Sequence, residues 1–231
     1  NSSAHTIAPA LFRNLPYHPL RDFSPIVPLG LSPSVLVTSP EAGWSNAMQF
    51  VSAAKAKVGG FNFSSVGIGT ATHLSAEKFR FAAGFDAAHV PFKGGAEAMN
   101  EVIAGRIEFF FGPVGLVAGS VKAGSLKALA VNGDTRSSAL PDVPTAAESG
   151  FPGAEYPLWI GMFAPARTAP DIIDRLNRET LEALKQPSVR SKMETLGMDP
   201  MVMSPAEFRR RLESDIVADA KLVEKIGLKI D

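Results

Sequence analysis

Between residues 61 and 131 the chain repeats one pattern three times: a short apolar run ends in glycine and gives way to residues at helical spacing. Phe61, Asn62, Phe63, Ser64, Ser65 and Val66 read as a strand, Gly67, Ile68, Gly69 and Thr70 as a turn, and Ala71 onward as a helix whose inward stripe is Ala76, Phe79 and Ala83. Residues 87–92 form the second strand, with Gly94 and Gly95 before a helix that buries Met99, Val102 and Ile103. Residues 107–111 form the third, with Gly112 and Pro113 before a helix carrying Val114, Val117 and Val121, and residues 126–131 supply a closing strand. Strands alternating with helices in this way predict a parallel sheet with right-handed crossovers and helices on both faces. In such sheets ligands bind at the carboxyl ends of the strands, here residues 67–72, 93–95 and 112–115.

The first turn has chemistry of its own. A strand, a glycine turn and a helix N-terminus direct unpaired backbone N–H groups at one place, where the helix dipole adds partial positive charge, so a carboxylate or phosphate can sit there without Arg or Lys. Gly and Thr at a strand-to-helix turn also serve simply to reverse the chain and cap the helix, and at this point both readings stand. His73, one turn into the helix, is open to two readings as well: a general base, or a structural ring and hydrogen-bond donor.

The flanking regions are less regular. Residues 1–20, with Pro9, Pro16 and Pro19, read as the tail of a strand, a loop and a short helical turn. The apolar runs at 26–29 and 34–38 are accompanied by Pro28 and Pro33, which favours edge or connecting strands. Ser45 is expected to cap a helix carrying Ala47, Phe50, Val51 and Ala54. A short helix is expected at 145–149, a strand at 157–164, an amphipathic helix at 171–185 with Ile173, Leu176, Thr180 and Leu184 inward, and another helix at 188–196. Ser204 with Glu207 and Pro205 predicts a capping-box start to a helix carrying Phe208, Leu212 and Ile216, with Arg209, Arg210 and Arg211 on its solvated face.

Several function classes lose support. Lys and Arg total 23 against 23 Asp and Glu, which suggests neither a nucleic-acid surface nor a membrane-hugging patch. No cysteine is present for a disulfide or thiolate metal site, and the four histidines, His5, His18, His73 and His89, lack metal-helix spacing. The turn at Gly67 and Gly69 lacks the third glycine of a dinucleotide fingerprint, and neither a phosphate loop nor a G-x-S-x-G elbow occurs. No apolar run approaches the length of a membrane span, about 20 residues. A start at Asn1 without an initiating Met suggests a processed or N-terminally incomplete chain.

The ordered segments NSSAHTIAPAL, SSVGIGTATHLSAEKF, HVPFKGGAEAMNEVIAGRIEFFFGP, LKALAVNGDTRSSALPDVPTAAESGFPG, WIGMFAPARTAP and LNRETLEALKQPSVRSKMETLGMDP resemble the substrate-binding receptors of tripartite tricarboxylate transporters, the Bug family. The resemblance covers nearly the whole chain in order. It implies an α/β, type II periplasmic binding protein-like fold, with two α/β lobes and a ligand cleft between them. Residues 33–150 would form one lobe, and residues 1–32 with 151–231 the other, joined by crossings near 31–37 and 154–159. The family's glycine-rich first loop has no counterpart here, which leaves the second lobe incomplete.

The resemblance also implies a ligand set. The carboxylate-binding turn falls on Gly67, Gly69, Thr70, Ala71, Thr72 and His73, with backbone N–H groups and threonine hydroxyls as donors. The tyrosine-lysine-glycine segment appears as Phe92, Lys93 and Gly94, without the phenolic hydroxyl, and Gly112 and Pro113 complete that wall. Where the family often has aspartate, Glu108 stands here, and Ser2, Ser3 and His5 match the loop that faces the ligand. The implied function is a non-enzymatic, periplasmic receptor that binds a dicarboxylate, tricarboxylate, acidic amino acid or aromatic acid by lobe closure and delivers it to membrane permease subunits. No cofactor, metal or nucleic acid is expected, and a monomer is. Two other readings are the effector-sensing domain of a transcription regulator and an enzyme acting on a carboxylate with His73 or Glu108 as base.

Overall fold

The computed structural model describes residues 2–156 and 158–228. The elements in order are helices α1 (Ser3–Thr6) and α2 (Ala8–Leu11); strands β1 (Phe23–Ser32) and β2 (Ser34–Thr38); α3 (Ala47–Ala56); β3 (Phe61–Ser65); α4 (Ala71–Ala83); β4 (Ala87–Pro91); α5 (Gly95–Ile103); β5 (Phe109–Pro113); α6 (Val114–Lys122); β6 (Lys127–Val131); β7 (Leu158–Pro165); α7 (Pro170–Lys185); α8 (Pro187–Thr195); β8 (Asp199–Pro200); and α9 (Pro205–Lys225). They fall into two compact units, one of residues 1–31, 158–193 and 199–231, the other of residues 32–157 and 194–198.

The larger unit is a five-stranded sheet in the order β4-β3-β5-β2-β6. β3 pairs in parallel with β4 and β5, whereas β2 runs antiparallel to both β5 and β6. The parallel set expected between residues 61 and 131 is therefore present but split by β2, a strand expected at an edge. Its proline, Pro33, lies just outside the strand, so all of Ser34–Thr38 can join ladders on both sides, and every residue of β2 is buried.

Alternation along the central strands builds two cores. Phe109 and Phe111 of β5 and Leu36 of β2 face Phe50 of α3 and Phe79 of α4, while Phe110, Val35 and Val37 face Val102 of α5 and Val117 of α6. A strand buried on both faces has no polar side to alternate, which is why 107–111 reads as a nearly continuous apolar run. Asn46 caps α3, its Oδ1 accepting from the Gln49 N–H at 2.9 Å. The expected cap, Ser45, instead donates its own N–H and hydroxyl to Gln49 Oε1.

A close backbone crossing fixes α6. A methyl group added at Gly115 would stand 2.2 Å from the carbonyl oxygen of Leu196, in the short segment 194–198 that belongs to this unit. The neighbour is backbone and cannot rotate away. Gly115→Ala should therefore destabilise the protein by about 2 kcal/mol, read as a lowered urea midpoint; a midpoint equal to wild type would mean the crossing relaxes freely.

The smaller unit contains the three-stranded sheet β7-β1-β8. β1 is its middle strand despite Pro25 and Pro28; its pairing with β8 falls at Gly30 and Leu31, beyond both prolines. Trp159 and Phe208 are fully buried here, and the Trp159 indole donates to Asp215 Oδ2 at 2.7 Å, a carboxylate also held by Arg211. α9 opens with the expected capping box of Ser204 and Glu207. On α7 the buried positions are Ile173, Asn177 and Leu184, and Leu176 is exposed; Asn177 replaces it because its amide donates to the carbonyls of Ile26 and Met203. Residues 3–11 form two short helices rather than a strand tail, Pro9 being accepted in the first turn of α2. Residues 145–149 make one capped turn rather than a helix: Thr145 and Glu148 bond reciprocally, and Thr145 bridges to Val131. Of the strand expected at 157–164, Pro157 lies outside the described residues, and β7 starts at Leu158.

Candidate functional site

Because β3, β4 and β5 are parallel, their carboxyl ends emerge on one edge of the larger unit. Gly67, Gly69, Thr70, Ala71, Thr72 and His73 follow β3 there, Phe92 and Lys93 follow β4, and Gly112 and Pro113 close β5. Phe92 donates its N–H to Ser65 O at 2.9 Å, which fastens the second turn to the first.

The turn after β3 is closed by its own side chains. Gly67 and Gly69 have φ of 124° and 72°, values open to glycine, so the chain can reverse within four residues. Val66 N–H donates to Thr72 Oγ1 at 3.0 Å, Gly67 N–H to Ser65 Oγ at 3.0 Å, and Gly69 N–H to His73 Nδ1 at 3.1 Å. Thr70 is the N-cap residue of α4, but its hydroxyl donates to Gly67 O at 2.7 Å, so no side chain caps this helix. The turn thus consumes its own leading donors and leaves the first-turn N–H groups of Ala71, Thr72 and His73 at the positive end of the α4 dipole.

Behind the turn lies a stack of three rings. His73 and His89 stack at 3.9 Å between centroids with their planes 12° apart, and His89 stacks on Phe63 at 4.9 Å, its partner across the β3–β4 ladder. His89 Nε2 is 2.5 Å from Ser65 Oγ, the hydroxyl that receives Gly67 N–H. Burial, reinforced by the neighbouring His89 and Arg80, pushes His73 down to about 3, and burial pushes His89 down to about 4, so both rings are neutral at neutral pH. With Nδ1 accepting from Gly69, His73 carries its proton on Nε2, which faces Glu77 Oε1 at 4.0 Å; Glu77 is itself held by Arg80 at 2.7 Å. His73 serves here as a structural acceptor, not a base aimed at solvent.

Asn132, fully buried after β6, joins the strand ends. Its Oδ1 accepts from Ser34 N–H at 2.8 Å, and its Nδ2 donates to Ser75 Oγ of α4 at 2.8 Å and to Tyr156 O at 3.2 Å. Ser65, His89 and Asn132 escape sequence reasoning because their roles depend on partners 24 to 98 residues away. The one local clue is that Ser65 ends the first strand of the repeating unit; His89, in the middle of β4, offers none.

Other candidate residues separate. Gly112 and Pro113 pair with Val35 and Ser34 of β2, and a methyl at Gly112 would lie 2.4 Å from Val117 Cγ1, so Gly112 serves packing. Glu108 is not on this edge: it precedes β5 and binds the Lys57 ammonium and the Asn62 N–H, the latter at 2.8 Å, at the opposite end of the sheet. As a wall residue or base at the site it is ruled out by that placement. Ser2, Ser3 and His5 belong to the smaller unit, on and before α1. Ser2 donates its N–H to Trp159 O at 2.9 Å, and His5 stacks on Phe163 at 4.1 Å. Ser3 Oγ and His5 Nδ1 are buried without a hydrogen-bond partner among the described residues, and burial holds the His5 imidazole below its usual range. Among the described residues no group of three or more potential ligands is placed to hold a metal, and no helix is long and apolar enough to cross a membrane.

This α/β architecture is that of the periplasmic binding proteins. A solved structure described as a periplasmic transporter superposes with a TM-score of 0.87 at 31% identity, covering 100% of this chain and 77% of that one. The chain belongs to the tripartite tricarboxylate transporter family receptors, whose family model matches residues 1–228. A curated relative, the UPF0065 protein in the tcbD-tcbE intergenic region of Pseudomonas sp. (strain P51), is 31% identical over 229 residues, covering 99% of this chain and 68% of its own. The structure of Rpa4515 from R. palustris with adipate matches with a TM-score of 0.84 at 25% identity, covering 99% of this chain and 77% of that one.

Proposed function

We propose that the protein is a periplasmic receptor that binds a small carboxylate without transforming it and delivers it to a membrane permease. The observation that carries this reading is the uncapped first turn of α4 beside a turn in which the N–H groups of Val66, Gly67 and Gly69 are already taken. One carboxylate oxygen pair accepts from the backbone of Ala71, Thr72 and His73, and the helix dipole supplies the charge. A relative holding adipate supports a carboxylate as the ligand class.

The two ligand-binding lobes, residues 33–150 and residues 1–32 with 151–231, close on the ligand, so that binding energy selects the closed state of a monomer. Ser3 Oγ and His5 Nδ1, both lacking partners among the described residues, are the donors and acceptors that the second lobe contributes. A site led by backbone amides, hydroxyls and water suits mono- and dicarboxylates better than densely charged ligands.

Isothermal titration against dicarboxylates, tricarboxylates, acidic amino acids and aromatic carboxylates tests this; binding to none of them would overturn it. Thr72→Val removes both the acceptor for Val66 N–H and a hydroxyl beside the bound anion, and should weaken the best ligand about tenfold. Unchanged affinity would take Thr72 out of the site.

A further inference from the structure

Beside the C-terminal half of α7, the smaller unit has a groove of about 330 Å³. Leu181 and Leu184 line it from α7, and Val202, just past β8, lines it from the other side. Val202 is 71% exposed, so hydrocarbon meets water there.

Asn177 stands in the α7 wall and is 9% exposed. Its Nδ2 donates to Ile26 O at 2.8 Å and to Met203 O at 3.0 Å, and two carbonyls fix which end of the amide is nitrogen. Oδ1 is left without a donor among the described residues. A nearly buried acceptor in that state gains when an occupant of the groove supplies an N–H or O–H.

The charge of the groove is one-sided: Arg178, Lys185 and Arg190 line it against a single carboxylate, Glu182. The Arg190 guanidinium has no partner among the described residues. Lys185 meets Glu182 at 2.6 Å and Arg178 meets Glu179 at 3.6 Å, all four side chains being well exposed. Surface pairs of this kind contribute about 0–1 kcal/mol, so they yield readily to a partner's carboxylates.

Resting on the carboxylate-receptor reading, we infer that this groove docks an acidic segment of the membrane permease. An apolar side chain of that segment seats on Leu181 and Val202, a backbone N–H donates to Asn177 Oδ1, and flanking carboxylates meet Arg178 and Arg190. A small carboxylate would answer the cations but leave Val202 in water; a protein segment covers both. An apolar anchor within a polar rim is where interfaces concentrate their binding energy. Complementary rim charge speeds encounter more than it tightens the complex, which suits a receptor that must dock, unload and leave.

The test reads ligand binding and uptake separately. Wild type and the double variant Arg178→Glu, Arg190→Glu are titrated as full chains with the carboxylate that wild type binds best. Uptake of the same compound, radiolabelled, is measured in the source bacterium carrying either gene in place of its own copy. Neither arginine belongs to the ligand site, so Kd should stay within about twofold of wild type. The initial uptake rate should fall at least about tenfold, and Arg178→Lys, Arg190→Lys should recover about half of it. Val202→Asp, at an exposed position, carries the same expectation should circular dichroism show the double variant unfolded. Unchanged uptake at unchanged affinity overturns the inference, as does a loss of affinity that matches the loss of uptake; both leave the receptor reading intact. A wild type that binds no carboxylate, or whose deletion leaves uptake unchanged, overturns the receptor reading and this inference with it.

Discussion

Replacing Asn132 with leucine should destabilise the larger unit by about 4 kcal/mol. The amide is fully buried and joins three elements: the start of β2 through Ser34, α4 through Ser75, and the segment after residue 154 through Tyr156. Leucine has similar volume but neither donor nor acceptor, so Ser34 N–H and the Ser75 hydroxyl are left buried without these partners. Each such loss costs about 1–3 kcal/mol because the groups cannot recover water. Ser75→Ala, which removes one partner only, should cost about 1 kcal/mol. Urea unfolding monitored by circular dichroism separates the two, and an Asn132→Leu midpoint equal to that of Ser75→Ala would refute the central role of the amide. Because Asn132 aligns β2 with the N-terminal half of α4, the leucine variant should also bind ligand more weakly under conditions where it remains folded.

Acidification from pH 7 to pH 4 should cost on the order of 3 kcal/mol through the His73–His89 stack, after halving the shifts for solvent screening. In the unfolded chain each imidazole takes up a proton near 6.5, whereas burial holds His73 at about 3 and His89 at about 4 in the folded protein. Below 6.5 the unfolded state therefore binds more protons. The contribution is fully present above pH 6.5 and is lost progressively as pH falls towards the folded values. Protonation of His73 also removes the lone pair that accepts Gly69 N–H, so the turn should loosen before the unit unfolds. His89→Phe keeps a ring against Phe63 and removes one titrating group, and should reduce the drop in urea midpoint between pH 7 and pH 4 by about half. An unchanged drop would assign the acid sensitivity elsewhere. Glu108 and Asp22, both with lowered values, lose their contributions in the same direction, that of Asp22 progressively as pH falls from 3.8 to about 2.

Local signals in the chain were reliable where the physics is local. The glycine turn at 67–70, the capping box at Ser204 and the inward stripe Ala76, Phe79 and Ala83 depend on residues within one or two turns of each other and are present, whereas Gly112 and Pro113, expected as a turn, lie inside β5, paired with Val35 and Ser34. Reasoning from prolines failed at β1 and β2, because a proline constrains only its own N–H and its immediate neighbour. Pro33 stands outside β2, and the β8 pairing begins past Pro28, so both strands are interior. Leu176 and Thr180 fit an amphipathic helix by spacing, yet the buried face of α7 passes through Asn177, whose amide is satisfied by carbonyls that only the fold brings near. Glu108 was expected at the site because it stands where the family often has aspartate, just before β5. A strand has two ends, however, and Glu108 is at the wrong one.

The amino-acid sequence by itself determined the repeating strand and helix unit, the positions of its first two turns and the family, since these follow from short-range periodicity and from ordered motifs. Only the tertiary structure decided that β2 enters the sheet antiparallel, that His73 and His89 meet as neutral stacked rings, and that Ser65, Thr72 and His73 occupy the turn's own N–H groups. The physical reason is that a backbone donor is available to a ligand only if nothing else has taken it, and what takes it here is set by contacts across the sheet as well as along the chain.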